Sequence, residues 1–414
     1  MTNTYTTMQD VSESALAMLV NQLGFVASAD TQYQKDFETG HWDKGDTITI
    51  RKHNRFNVSD GAVISSIDAI NEPSVDLTLD YRKKVVQDFT TQDLTLYTRH
   101  KFDERFIKPA VVDLANAIEL SVAQELFKKT YFHLGTAGVA PTTFANLSRT
   151  RAYCNKLGIP AYNRYMGWDE DSYAEFISNS NLQNNFVKDT NVQINKNAYL
   201  GALLQFEHFT SVSAQTHIAG TGDGTAVADG YQAAGTVNGE VTDGVTIVVQ
   251  GVEADTENVF RAGDKIYFGG VETLNPRSHD SVGRAYQAVV TADADSTGTD
   301  VTITVSTPVI SDVTDPFRNI TAPIPDDAPI FIASAGTDPY KLSYAFCKDG
   351  IVFAAPPLRI PSSVSTSGRK TDDQTGISIR LIEEYDVIND RIITRFDVLY
   401  GILINGDRIV GQLG

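Results

Sequence analysis

The run "VDLTLDYRKKVVQDFTTQDLTLYTRHKFDERFIKPAVVDLANAIELSVAQEL", residues 75–126, changes its period partway along. The first half alternates between apolar and polar residues, the pattern of a half-buried strand. In the second half Ile107, Val111, Leu114, Ile118, Val122 and Leu126 recur every three or four residues. That spacing predicts one helix over residues 103–134, with Pro109 in its first turn and Gly135 as its stop. Such a helix spans about 48 Å at 1.5 Å per residue, long for a compact domain and suited to a backbone element.

Residues 46–99 as a whole read as extended. "DTITIRKHNRF" alternates, turns follow in "SDGAVISSIDAINEPS", and alternation resumes at Val75. The pattern predicts a long protruding β-loop with a polar, mostly basic stretch of Arg51, Lys52, His53, Asn54 and Arg55. Two-stranded ribbons are marginal in water, so this one needs a surface to lean on, and another copy of the chain fits that need. In residues 1–40 one amphipathic helix is predicted. Asp10 caps it, Glu13 holds the reciprocal capping-box position, Leu16, Leu19, Val20 and Leu23 form its stripe, and Gly24 ends it.

Residues 136–214 mix helix and loop, with "WDEDSYAEFISN" read as an N-capped helix and "NAYLGALLQF" as a second. From residue 215 the character changes. A Gly/Ala/Thr-rich stretch leads into "VTIVVQGV", "DKIYFGGV", "AYQAVVTAD", "DVTITVSTPVI" and "APIFIASA", short strands that predict a small β-barrel or Greek-key domain. In "RAGDKIYFGG", residues 261–270, a Gly-Asp turn launches Ile266 and Phe268 on one face and Lys265 and Tyr267 on the other. After residue 340 strand alternation returns. The expected fold class is α+β. Its regions are an N-terminal arm (1–40), an extended β-loop with flanking strands (41–99), a spine helix and first body part (100–214), an inserted acidic β-barrel domain (215–340) and a second body part (341–414). Neither flank is large enough for its own core, so the body is expected to close across the insertion.

The 414 residues carry a net charge of −18. Residues 215–340 hold 18 Asp/Glu and 5 Lys/Arg, a balance of −13, which leaves −5 for the rest. Such acidity argues against gripping nucleic acid, which needs clustered Lys and Arg. No run of about 18 apolar residues predicts a membrane span, and no secretory signal is readable at the N-terminus. Cys154 and Cys347 stand far apart, outside any metal spacing, and read as reduced buried thiols.

Catalytic patterns are missing. There is no P-loop, no H-E-x-x-H and no G-x-S-x-G. "DADSTGTD", residues 293–300, imitates the start of a calcium loop, but Thr304 stands where a bidentate Glu is needed, so it reads as a hairpin turn. His53 and His208 lack ligand spacing, and Glu383, Glu384 and Asp386 lie on a strand-like run. No catalytic, cofactor-binding or metal-ligating residue is assigned.

The order of elements, together with residues 75–126 and "FRAGDKIYFGGVETLNP" at 260–276, resembles the major capsid proteins of tailed bacteriophages, with the Hong Kong ninety-seven type fold. It is most similar to the P-twenty-two-like branch, whose coat proteins carry an inserted β-barrel domain. The resemblance implies a self-assembling subunit of an icosahedral head shell, a component of the virion made in the bacterial host cytoplasm. Copies would form hexameric and pentameric capsomers with a scaffolding protein and a portal. They would enclose double-stranded DNA without sequence-specific binding and without a membrane. It further implies that the spine helix lies in the shell wall, that the β-loop reaches a neighbouring subunit, and that the arm rearranges as the precursor shell expands. The inserted domain is expected on the outer surface, aiding folding and making contacts between capsomers through a loop. Here that loop is 218–238, with Asp223 and Asp229 but no Lys or Arg, so its basic partners are expected elsewhere, at Arg277 or Arg284. Arg51, Lys52 and Arg55 are the expected contact residues of the β-loop. No motif selects a Lys–Asn cross-link, so a noncovalent shell is expected.

Two other classes compete. A β-rich tail or adhesin component would bind carbohydrate through exposed aromatics such as Tyr231, Tyr267 and Tyr286, though the uninterrupted helix pattern speaks against it. An enzyme would assemble its site from distant residues and lose activity, but not assembly, on a single conservative carboxylate substitution.

Overall fold

The computed structural model describes residues 15–16, 19, 23–33, 44–52, 54–56, 72–90, 108–178, 200–223, 226–227, 231–333, 339–362, 366–372 and 376–414. The chain divides into two compact units. One comprises Met1–Arg51, Ser74–Ala123 and Ile351–Ile404, the other Lys52–Pro73, Gln124–Gly350 and Asn405–Gly414.

In chain order, β1 (Thr47–Arg51), β2 (Ser74–Thr78) and β3 (Tyr81–Thr90) precede helix α1 (Lys108–Lys129). There follow β4 (His133–Leu134), α2 (Phe144–Lys156), β5 (Arg164–Asp169), α3 (Glu170–Ile177), β6 (Ala202–Leu203), β7 (Phe206–Ser211) and β8 (Thr216–His217). Then come β9 (Ala226–Val227), β10 (Tyr231–Val237), β11 (Asp243–Gln250), β12 (Lys265–Leu274), β13 (Ser281–Val289), β14 (Asp300–Ile310) and β15 (Pro329–Ala333). The last are β16 (Tyr340–Cys347), β17 (Ile351–Ala354), β18 (Thr366–Thr371), β19 (Ser378–Asp386), β20 (Arg391–Ile404) and β21 (Ile409–Leu413).

In the first unit β17, β20, β19 and β18 form an antiparallel sheet, and β3 pairs with β20 from Arg391↔Thr90 to Tyr400↔Tyr81. The alternation of "YRKKVVQDFT" is realised residue by residue. Tyr81, Lys83, Val85, Gln87 and Phe89 turn inward, while Arg82, Lys84, Val86, Asp88 and Thr90 are exposed. Tyr400 stacks between Tyr81 and Phe353, both at 5.4 Å, and donates its hydroxyl to Ser121 Oγ of α1 at 3.0 Å. Val111, Leu114, Ile118 and Val122 of α1 have no exposed surface, and neither has Leu126. Of the arm's predicted stripe, Leu16, Leu19 and Leu23 are buried; Asp10, Glu13 and Val20 lie outside the described residues.

The same helix buries a carboxylate. Glu119 is 4% exposed and accepts the amide N–H groups of Phe25 and Val26, each at 3.2 Å. Burial raises its pKa to about 7, and the amide donors only partly oppose this.

The sequence period predicts helix as far as residue 134, but α1 ends at Lys129. The reason is tertiary. His133 and Leu134 pair in parallel with Gly411 and Gln412 of β21, and a ladder partner overrides helical periodicity. Gly135, at φ 94°, serves the turn after β4 rather than the helix end. Residues 103–107 lie outside the described residues.

In the second unit the body sheet runs β4-β21-β16-β5-β7-β6, with β8 on β16. Strands from before residue 215 thus pair with strands from residue 340 onward. Lys341 of β16 binds Asp169 at 3.0 Å and Asp171 at 2.8 Å across that join. Asp169 also caps α3 by accepting Ser172 N–H at 3.3 Å, in agreement with the N-capped helix read in "WDEDSYAEFISN". The helix read in "NAYLGALLQF" is corrected. Residues 202–203 and 206–211 are the antiparallel strands β6 and β7, turned by Leu204 and Gln205 at φ 51° and 69°. Apolar residues two apart served a hairpin there. Trp168 of the body core donates its indole N–H to His208 Nδ1 at 2.8 Å, and burial lowers His208 to about 4, so the imidazole is neutral.

A seven-stranded sheet of the same unit is built from residues 226–333. It runs β13-β12-β15-β10-β11-β14, with β9 on β10. Its two end strands meet, since Val290, next after β13, bridges Val305 of β14 and Thr291 N–H donates to Thr304 O at 2.9 Å. Ile247, Val249, Ile266, Phe268, Ile303, Ile330 and Ile332 fill its interior with at most 0% exposure each. Lys265, read as facing away from Ile266, is also fully buried, with its ammonium donating to the carbonyl of Phe127 in the last turn of α1. Among the described residues no helix is long and apolar enough to cross a membrane.

The Glu119 carboxyl has a calculable consequence. Its folded pKa, about 7, exceeds its unfolded value of 4.5, so the folded chain holds the extra proton. Its contribution is full below pH 4.5 and falls as pH rises toward 7, by about 3 kcal/mol at most. Urea melts of the unassembled chain at pH 5 and pH 7.5 will show this loss, and Glu119→Gln will reduce it.

Candidate subunit-contact surfaces

The predicted β-loop is anchored at its base. β1 and β2 pair antiparallel from Thr47↔Thr78 to Arg51↔Ser74. Their Ile50 and Leu77 pack with Leu79, Val352, Ala354, Leu358 and Leu399. Arg51 and Lys52 are exposed at the end of the ribbon, and His53 lies outside the described residues. Arg55 behaves differently. Its guanidinium sits 5.3 Å from the ring centroid of Phe317 and 3.9 Å from Asp407. Burial lowers its pKa while Asp407 pushes it back up. Of the three cations read together in the sequence, Arg55 is thus engaged by Phe317 and Asp407 within its own unit. Phe56 beside it is 58% exposed.

Of the residues expected to make contacts from 215–340, Asp223 is half-buried and its N–H donates to Ala233 O at 3.1 Å; Asp229 lies outside the described residues. Arg277 is exposed in a turn made by Asn275 Oδ1, which accepts Arg277 N–H at 2.8 Å. Arg284 is exposed with its guanidinium 5.1 Å over Tyr153. It lines a cleft of about 510 Å³ with Lys156, Tyr231, Tyr267, Gly283, Ala285 and Gln287. Tyr231 and Tyr267 are half-buried and meet edge to face at 4.8 Å, and Tyr286 is 2% exposed. The last fact corrects the reading of Tyr286 as an exposed aromatic for carbohydrate, since it lies in the sheet interior stacked on Phe268.

The spine-helix residues Val111, Leu114, Ile118, Val122 and Leu126 are core rather than contact surface, and Ile107 lies outside the described residues. The calcium-like run is a turn. Asp293 accepts Ala262 N–H at 2.8 Å, Asp295 accepts Asn258 N–H at 2.7 Å, and Thr297 bridges Asp300. Among the described residues no group of three or more His, Cys, Asp or Glu is placed to hold a metal ion. Cys154 and Cys347 are free and buried, with Cys154 pushed up to about 12 by burial.

The sequence reading missed one surface. Between β19 and β20 the turn exposes Val387 by 78% and Ile388 by 92%. Asp386 holds it, accepting Ile388 N–H at 3.1 Å, Asn389 Nδ2 at 2.7 Å and Arg391 Nε at 3.1 Å, while Tyr385 donates to Asp390 at 2.7 Å. The signal was present as Asn389 and Asp390, turn-forming residues between two alternating runs.

A paired ribbon, a helix with a buried apolar stripe and an exposed apolar turn are features of a structural protein rather than of a catalytic cleft. The family described as P22 coat protein, gene protein 5, matches residues 44–413. The chain belongs to the P22 coat protein family, and it is a major capsid protein that forms the head shell of the phage virion. No curated protein matches the sequence. Solved structures similar to it include one from Mycobacterium phage Che8, at 11% identity over 94% of this chain and 90% of that one, with a TM-score of 0.46. Another is the capsid of Cyanophage P-SCSP1u, at 9% identity over 91% and 84%, with a TM-score of 0.40. A third is a virus-like particle from Pyrococcus furiosus, at 7% identity over 98% of each chain, with a TM-score of 0.38.

The division among the ribbon cations is testable by thermal unfolding. Arg55→Ala is expected to destabilise the chain by about 1–2 kcal/mol through lost ring and ion-pair contacts. Lys52→Ala is expected to stay within about 0.5 kcal/mol of the parent.

Proposed function

We propose that copies of this chain form hexameric and pentameric capsomers, held without covalent cross-links, that close with a scaffolding protein and a portal around double-stranded DNA. The DNA is enclosed rather than read, in keeping with a net charge of −18. The role is structural and involves no catalysis. Residues 215–340 are an inserted barrel domain, flanked by a body in parts 100–214 and 341–414 and preceded by the arm and β-loop. The observation that carries this reading is topological. The body sheet draws strands from both sides of the insertion, while a sheet with bridged ends is drawn from 226–333. Arg51 and Lys52 serve the ribbon's contact with a neighbour; Asp223, Asp229, Arg277 and Arg284 serve contacts of the inserted domain.

Sedimentation velocity and negative-stain microscopy, with and without a co-expressed scaffolding protein, test the assembly. Closed shells or capsomer-sized rings are expected, and a monomer under every condition overturns the reading. The isolated fragment 215–340 is expected to give a dispersed amide NMR spectrum, and a collapsed one removes its standing as a domain.

A further inference from the structure

One face of the sheet that contains β3, β18, β19 and β20 is electrically bipolar. Residues opposite one another in an antiparallel ladder share a face, as do residues two apart along a strand. The pairs Arg369↔Arg380, Arg380↔Asp397 and Asp397↔Lys84 therefore set four charged groups in one row. Arg395 and Arg82 stand one step to either side on the same face and reach Asp397 at 2.8 and 3.7 Å. Three cations thus reach one carboxylate, and Arg369 and Lys84 extend the row on either side. Arg380 is 7% exposed and donates to Asp397 and to the Arg359 carbonyl, yet its Nε has no acceptor. Farther along the same face the ladder sets Asp88 and Glu384 on either side of Ile393, then Asp386 opposite Arg391. Three carboxylates to one guanidinium give this end the opposite sign, and it finishes at the exposed Val387 and Ile388.

We propose that this face docks on a second copy of the chain, the acidic tip of one copy meeting the basic end of the other. The proposal rests on the shell-forming role of the chain. Charge complementarity names the occupant. The exposed cations Arg82, Lys84 and Arg369 stand out in a chain of net charge −18, and the matching acids lie on the same sheet of every other copy. Apolar groups are available at both ends for a desolvated centre, Val86 at 50% exposure in the basic part and Val387 and Ile388 at the tip. The exposed Lys84, Arg82 and Arg369 are the cations a partner's carboxylates can reach, while Arg380 is held inside the row by Asp397. A contact between different ends of one face closes as a pair or repeats from copy to copy, and either serves a shell.

The test is the threshold concentration for shell assembly, read by light scattering at about 50 and about 500 mM salt, where screening differs severalfold. Lys84→Glu and Glu384→Lys are each expected to raise the threshold about tenfold at low salt, with thermal unfolding of the unassembled chain unchanged because both side chains are exposed. The two substitutions combined are expected to restore it. Residue 384 is in register with a point four residues along β3 from residue 84, roughly 13 Å away, so restoration reports a contact between chains. Val387→Ser with Ile388→Ser is expected to raise the threshold at both salt concentrations. Unchanged thresholds in the single variants, or no restoration in the double, overturn the proposal while wild-type shells still form. Normal assembly with loss of binding to double-stranded DNA overturns it too and assigns the face to a polyanion. Failure of the wild-type chain to assemble at all overturns the shell reading itself.

Discussion

A fully buried lysine ammonium is among the least tolerated groups in a protein, and the second unit is organised around one. Lys265 points from β12 to the carbonyl of Phe127 at the end of α1. A bare burial of this kind costs several kcal/mol. Here the electron-rich end of the helix, the Phe127 ring 4.3 Å away and the neighbouring Asp264 all lower that cost. Burial still draws the pKa of Lys265 down to about 7, with Asp264 opposing. Asp264 is fully buried and occupied in turn, accepting N–H groups of Arg261 at 2.7 Å and Gly220 at 3.1 Å and facing His217 at 2.7 Å. One Asp-Lys pair therefore fixes the end of the spine helix, the start of β12 and the segment leading into residues 226–333.

The same device recurs at other joins. Glu119 ties α1 to Phe25 and Val26, Lys341 ties β16 to Asp169, and Gln287 exchanges bonds with the backbone of His133 at 3.0 and 2.9 Å while its Oε1 accepts from Tyr153 at 3.0 Å. Each links segments remote in sequence. Apolar contacts hold such joins together without choosing a register, whereas a buried polar group that needs one partner does choose. An acidic chain thus uses its internal carboxylates as locators and leaves the remaining negative charge on its exposed surface.

The elements that were legible in the sequence are those whose pattern is local. The stripe Val111, Leu114, Ile118, Val122 and Leu126 is the buried face of α1, and "DVTITVSTPVI" is β14 to the residue. What failed was decided at a distance. Residues 133–134 became strand because β21, nearly three hundred positions later, offered a ladder. Residues 202–211 became a hairpin beside β5. The basic run at 51–55 looked uniform in sequence because Phe317 and Asp407, which claim Arg55, are remote from it. The bipolar sheet face was out of reach for the same reason, since its rows exist only once four strands are in register.

The body sheet also sets an order of events. Lys341 and Asp169 are 172 positions apart, yet their strands are neighbours. Closing so long a loop costs conformational entropy before any contact rewards it. The sheet from 226–333 draws on one continuous stretch and has no such debt. During synthesis from the N-terminus it can form while β16 and β21 are still missing. Once formed, it replaces a long slack connection with a short rigid one. The rate at which the body completes itself is then governed by how early that sheet folds, so substitutions inside it will slow maturation of strands they never touch.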